Sequence, residues 1–294
     1  MQKSIFLFYK SLMAVGGAER LLFQEYNYFR ERGRNVKILT FKSSKDALFV
    51  GDVNEEDILL LGGSSWLSSI FKFIQHGRKY NNSIFLCSSG HIDIFIASIF
   101  SGFRYNLHIH HPTSMTVNET DKYSIFFAGK FKKLVNSSYG ARIFLKKKKD
   151  LSVLEHIKIN LRCCFSILAI KRAENVLVLS EFAKWEKQLL YNIDAKVIRG
   201  GAANSQMLNL STLGKLKNKF DKNKEIILTI SRLYKDKRVD VIIKAFHKYS
   251  KDNLNSVLLI GGTGSEEEAL KKLVTDLGLA HKVVFLGFIP DEVL

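Results

Sequence analysis

Proline is nearly missing, with two in 294 residues; beside abundant Lys, Asn, Ile and Phe this reflects coding bias more than architecture. Cysteine is scarce too. Three residues, with Cys163 and Cys164 adjacent, make no disulfide framework and lack the paired spacing of a zinc site, which favours a reducing, cytosolic setting. No window holds the roughly 18 uninterrupted apolar residues that a spanning helix needs. The first apolar run, Ile5 to Tyr9, is too short for a signal-peptide core and reads as a buried strand. The expectation is a protein that is soluble or bound to one membrane face. Acidic residues are outnumbered 28 to 45 by Lys and Arg, a net charge of +17. That excess calls for an acidic partner, whether nucleic acid, anionic lipid headgroups or phosphorylated substrates, and charge alone does not choose among them.

What is present is a globular composition, 46% hydrophobic, with length for one large domain or two ordinary ones. Apolar strand-like runs at 4–9, 36–41, 57–61, 83–87, 106–110, 175–179 and 196–198 alternate mostly with helical patterns. The clearest helix follows the first strand, with Ala18, Leu21, Leu22, Glu25, Tyr28 and Phe29 on one stripe. Candidates at 64–80 and 91–102 follow. This alternation predicts a doubly wound parallel α/β sheet. No repeat at solenoid periods is visible. Residues 206–224, polar and rich in Lys and Asn, read as a linker between an N-terminal domain (1–205) and a second α/β series (225–294). That series has strands at 226–230, 256–260 and 283–286 and helices at 239–249 and 265–277.

The stretch Ser231-Arg-Leu-Tyr-Lys-Asp-Lys-Arg-Val-Asp240 joins a β-branched strand to an amphipathic helix. Arg232 and Lys237 thus stand at the carboxyl edge of a sheet beside a helix N-terminus, where α/β folds bind anions. Arg would supply a bidentate fork and Lys a point charge for one diphosphate. Gly16 and Gly17, between the first strand and helix, allow close approach to a phosphate, or make a plain tight turn. In His108-Ile-His-His111, strand alternation sets His108 and His110 on one face and His111 on the other, so the three do not easily share a metal. His110 either points into a cleft or is a satisfied histidine. Residues 122–150 mix Lys130, Lys132, Lys133, Arg142 and Lys146 to Lys149 with Phe126, Phe127, Phe131 and Phe144. They suit an anionic membrane surface, or form a solvated charged face. No recognition module or stacking pattern supports a nucleic-acid partner. The run Gly261-Gly-Thr-Gly264 lacks both the Gly-Lys-Ser/Thr of a P-loop and the last Gly of a dinucleotide fingerprint, which removes the main support for NTPase and dehydrogenase readings.

Taken together, R-L-x-x-x-K-R-x-D from Arg232, Gly261 to Gly264, the acidic helix that follows, Leu277-Gly-Leu279, Val283 to Gly287 and the Gly16-Gly17-Ala-Glu-Arg20 loop resemble the family-four, or group 1, glycosyltransferases. The resemblance implies a GT-B fold of two Rossmann-like domains, the second incomplete here. It implies a nucleotide-sugar donor, a glycan or polyprenyl-linked acceptor, and transfer with retention without an essential metal or cofactor. Arg232, Lys237, Gly16 and Gly17 match donor-phosphate positions, and Gly262, Gly264, Phe288 and Ile289 match nucleotide positions. His110 matches a catalytic histidine in an H-x-P pattern. The family's next motif, two glutamates eight residues apart, is missing from 294 residues. That leaves a second expectation: a non-catalytic binding subunit of a split or degenerate transferase, completed by another polypeptide. The setting implied is the cytoplasm or the cytosolic membrane face.

Overall fold

The computed structural model describes residues 3–13, 16–45, 52–110, 126–127, 130, 152–200 and 224–289. The chain divides into two compact units, Met1–Gly201 and Ala202–Leu294.

The first unit runs β1 (Ile5–Phe8), β2 (Ser11–Leu12), α1 (Gly17–Glu31), β3 (Val36–Thr40), β4 (Lys42–Ser43), a 3-10 turn (Glu55–Asp57), β5 (Ile58–Leu60), α2 (Trp66–Lys79), β6 (Ile84–Cys87), α3 (His91–Ser101), β7 (Tyr105–Ile109), α4 (Val153–Arg172), β8 (Val176–Val178), α5 (Glu181–Tyr191) and β9 (Lys196–Val197). Seven of its strands form one sheet in the order β5-β3-β1-β6-β7-β8-β9, and every pairing is parallel. From β1 the chain winds outward to β3 and β5, then returns to β6 and winds the other way. The reversal lies between β1 and β6, and in such sheets the crevice for a ligand opens at the carboxyl ends of those strands.

β1 is buried along its whole length because it is central and covered on both faces. Ile5 and Leu7 pack with Leu22, Phe23 and Tyr26 of α1 on one side. Phe6 and Phe8 enter the larger core on the other side, with Phe73 of α2, Ile94 of α3, Ile170 of α4 and Leu190 of α5. The buried stripe of α1 is therefore Ala18, Leu22, Phe23 and Tyr26, whereas Tyr28, expected within it, is exposed. The Tyr26 hydroxyl reaches Asp57 Oδ2 at 2.6 Å, which lets a phenol occupy the core.

Helix starts follow capping chemistry. Ser65 Oγ accepts from Ser68 N–H, Ser180 Oγ from Ala183 N–H, and Ser152 with Glu155 forms a capping box for α4. The 20-residue α4 lies outside the helices that the sequence pattern marks, between two strands that it does mark.

In the second unit β10 (Glu225–Ile230), α6 (Val239–Asp252), β11 (Ser256–Gly261), α7 (Glu267–Asp276) and β12 (Val283–Gly287) give a parallel sheet in the order β10-β11-β12. Leu258 and Ile260 of the fully buried β11 meet Val239, Ile243 and Phe246 of α6 and Leu270 and Val274 of α7.

Candidate functional site

In the first unit a cavity of about 660 Å³ opens at the β1/β6 reversal. Its walls come from the loops that leave β1 (Tyr9, Lys10), β6 (Ser88 to Gly90) and β7 (His110), with residues of α3, α4 and α5. Gly90 shapes the corner. Its φ is +77°, and a side-chain carbon there would come within 2.9 Å of the Phe8 ring and 3.0 Å of Asp93 Oδ2. Asp93, only 3% exposed, receives Lys10 Nζ at 2.9 Å and the Trp66 indole N–H at 2.7 Å, so three elements are tied to one buried carboxylate. Lys10 N–H also donates to Ser89 Oγ at 2.8 Å.

His110 lies at the end of β7, 8% exposed, and lines this cavity. His108 is on the same face, with the two rings edge to face at 4.5 Å. Behind them, His108 Nδ1 is hydrogen-bonded to the Glu25 carboxylate of α1. Glu25, His108 and His110 bring ligand-type atoms within 4.8 Å of one another, but one carboxylate oxygen is already engaged by His108. His111 lies outside the described residues. The sequence shows Glu25 only as part of a helix stripe, and its tie to a histidine 83 residues away leaves no local pattern.

Two further groups bear on the cavity. Lys187 and Glu186 of α5 are 1% and 0% exposed and form a pair at 3.3 Å; burial lowers the lysine pKa, against the pull of Glu186. His91, at the first turn of α3, has its pKa pushed down to about 4 by burial and then by the Lys187 charge, so it is a neutral imidazole at pH 7.

At the start of α1, Gly16 N–H donates to Glu19 Oε2 at 2.9 Å, and Tyr9 OH donates to Glu19 Oε1 at 2.7 Å. The capping glutamate thus joins the glycine loop to the end of β1. Gly17 is exposed, and the next residue, Ala18, lines the cavity.

In the second unit, β10 delivers Arg232, which is exposed with its guanidinium 5.5 Å from the Tyr234 ring. Leu233, 1% exposed, anchors the loop in the core, and a 3-10 turn, Lys235–Lys237, leads to α6 with Lys237 exposed. Arg238 adopts the left-handed conformation at φ 53° and pairs with Asp240. The loop lies directly on Gly262 and Gly264. A side-chain carbon at Gly262, where φ is +116°, would strike Ser231 O, and one at Gly264 would strike Leu233 O. Leu233 N–H donates to Thr263 O at 2.9 Å, Ser231 N–H to Gly261 O at 3.1 Å and Glu266 N–H to Leu233 O at 3.0 Å. Those glycines therefore hold the Arg232 loop by backbone contact. Phe288 is 75% exposed, and Ile289 covers Gly261.

Residues 214–294 match the family described as glycosyl transferases group 1. That match spans most of the C-terminal unit. An uncharacterized glycosyltransferase of Methanocaldococcus jannaschii, MJ1607, is 36% identical over 72 residues, which are 24% of this chain and 18% of that protein. The chain thus aligns with under a fifth of that curated relative. Among solved structures, Anabaena Alr3699/HepE in complex with UDP-glucose superposes with a TM-score of 0.66 at 19% identity, over 98% of this chain and 70% of that one. WaaG, a glycosyltransferase involved in lipopolysaccharide biosynthesis, superposes with a TM-score of 0.63 at 12% identity, over 98% of this chain and 70% of that one. At such identities the likeness establishes the fold, two Rossmann-like α/β units of the GT-B class. Among the described residues no helix is long and apolar enough to cross a membrane.

Proposed function

We propose that this chain is the donor- and acceptor-binding part of a retaining glycosyltransferase that moves a sugar from a nucleotide sugar to a glycan or lipid-linked acceptor. The observation that carries the reading is the Arg232 loop, seated by backbone hydrogen bonds on Gly261 and Thr263 within the segment that matches the group 1 family. As the bond from the anomeric carbon to the diphosphate oxygen breaks, charge grows on the leaving phosphate. Arg232 and Lys237 neutralise it, fixed in place before the reaction. Gly262 and Gly264 keep their loop rigid, and Phe288 and Ile289 meet the base. HepE in complex with UDP-glucose supports a uridine nucleotide as the first donor to test.

In the first unit, His110 holds the transferred sugar or stabilises charge, with Gly16 and Gly17 at the mouth of the site. The β1/β6 cavity takes the acceptor. The chain acts in the cytoplasm or on the cytosolic membrane face. The basic stretch that first suggested a membrane, residues 122–150, lies almost wholly outside the described residues.

Calorimetry with UDP and UDP-glucose tests the donor site. The wild type is expected to bind, and Arg232→Ala with Lys237→Ala to lose binding; unchanged affinity would falsify the site. Binding without transfer to any glycan or lipid-linked acceptor favours the alternative, a non-catalytic partner subunit.

A further inference from the structure

One apolar face of an amphipathic helix is accounted for by the core, but α4 has two. Ile159, Cys163, Ala169 and Ile170 are buried against the sheet. On the other side Leu154, Ile157, Leu161, Phe165 and Leu168 are 43–67% exposed. At 3.6 residues per turn these five share an arc of about 80°, opposite Ile159, Cys163 and Ile170. In the same layer, α3 packs against both α2 and α4, and it adds exposed Phe100 while α2 adds exposed Leu67 and Phe71. An apolar surface of this extent on a folded unit marks a contact site.

Its charge identifies the occupant. Across α2, α3 and α4 there are seven Lys and Arg residues, all exposed: Lys72, Arg78, Lys79, Lys158, Arg162, Lys171 and Arg172. The only acids on these helices are Asp93, which is buried, and Glu155, which caps α4. A second copy docked symmetrically would set the same patch against itself and bring like charges together, with no exposed acid on these helices but the capping Glu155 to offset them. An anionic bilayer accepts both features at once, with the apolar side chains entering the headgroup boundary and the cations meeting phosphate. We propose that the outer face of α4, with α2 and α3, docks the protein on an anionic membrane surface. The inner face of α4 supplies Arg162, Cys163, Ser166 and Ile170 to the cavity wall. Docking therefore brings the cavity within about one helix diameter, ~10 Å, of the headgroups, in reach of an acceptor held in the membrane. The docking itself does not depend on sugar transfer.

The test is co-sedimentation of the full chain with phosphatidylcholine vesicles and with 7:3 phosphatidylcholine:phosphatidylglycerol vesicles. The wild type is expected to bind the anionic vesicles at least tenfold more tightly, and to weaken severalfold in high salt. Leu161→Glu with Phe165→Glu should lower that binding at least tenfold while circular dichroism and UDP affinity stay as in the wild type. If that variant does not fold, Lys158→Glu with Lys171→Glu reads the same surface through charge alone. Equal binding to neutral vesicles, or full binding by folded variants, overturns the proposal. So does light scattering that shows a dimer of the wild type dissolved by the Leu161→Glu change. Failure to bind UDP would count against the transferase reading and leave the vesicle result standing.

Discussion

The carboxylate of Glu25 on α1 meets Nδ1 of His108 on β7, and the His108 ring stands edge-on to His110. His110 reaches the cavity with its orientation set by residues from two layers of the fold.

Removing the carboxylate should disturb that orientation. Glu25→Ala leaves a buried imidazole nitrogen without its acceptor, at a cost of about 1–3 kcal/mol. Glu25→Gln, which can still accept, should lose less. Both are read by urea unfolding. In a transfer assay Glu25→Ala is expected to lower kcat with the donor KM unchanged; a fall in donor affinity alone would assign Glu25 to packing.

Acid should loosen the first unit through two histidines. Burial, then the neighbouring Lys79 charge, lowers the His76 pKa to about 4, as burial and Lys187 do for His91. Both are neutral when folded and titrate near 6.5 when unfolded, so the unfolded chain binds more protons between those values. Their contribution is whole above pH 6.5 and declines as the pH falls toward 4. The expected result is a falling Tm from pH 7 to pH 5, with a flatter profile in His76→Gln or His91→Gln.

The pair Lys187–Glu186 should behave as a coupled unit. Lys187→Met takes away the cation 3.3 Å from a carboxylate with no exposed surface, and is expected to cost about 3–5 kcal/mol. Lys187→Met with Glu186→Leu removes both charges and should recover most of that loss. A double-mutant cycle in urea measures the coupling.

Gly262→Ala tests the seat of the cation loop. It introduces a side chain at φ +116° against Ser231 O, so the loop must move. UDP affinity is expected to fall more than tenfold. Gly278→Ala is the control, because its φ of +70° is also positive but its side chain meets open space. It should cost about 1 kcal/mol of stability and leave UDP binding intact.

Much of this fold can be read from the chain, for particular reasons. β1, β3, β6 and β7 are short apolar runs closed by polar or glycine residues, and their ends fall within a residue or two of the expected ones. α4 escapes such a reading because Leu161 and Phe165 on one side and Ile159 and Cys163 on the other blur the single stripe that marks an amphipathic helix. His110 and Arg232 stand out because each closes a strand. Lys187 and Asp93 do not, since each sits in an ordinary helix and acquires its role only from what the sheet brings against it. Glu25 is hidden for the same reason, and Tyr28 lies on the stripe yet is exposed because a stripe alone does not say which edge of it reaches the core.

The middle position of β1 has a bearing on synthesis. Its partners on either side are residues 36–40 and 84–87, so β1 leaves the ribosome some eighty residues before its second edge is paired. Ile-Phe-Leu-Phe is an aggregation-prone stretch to leave open for that time. Ribosome-bound intermediates shorter than this should lean on chaperones, and slowing translation before residue 84 should lower the soluble yield.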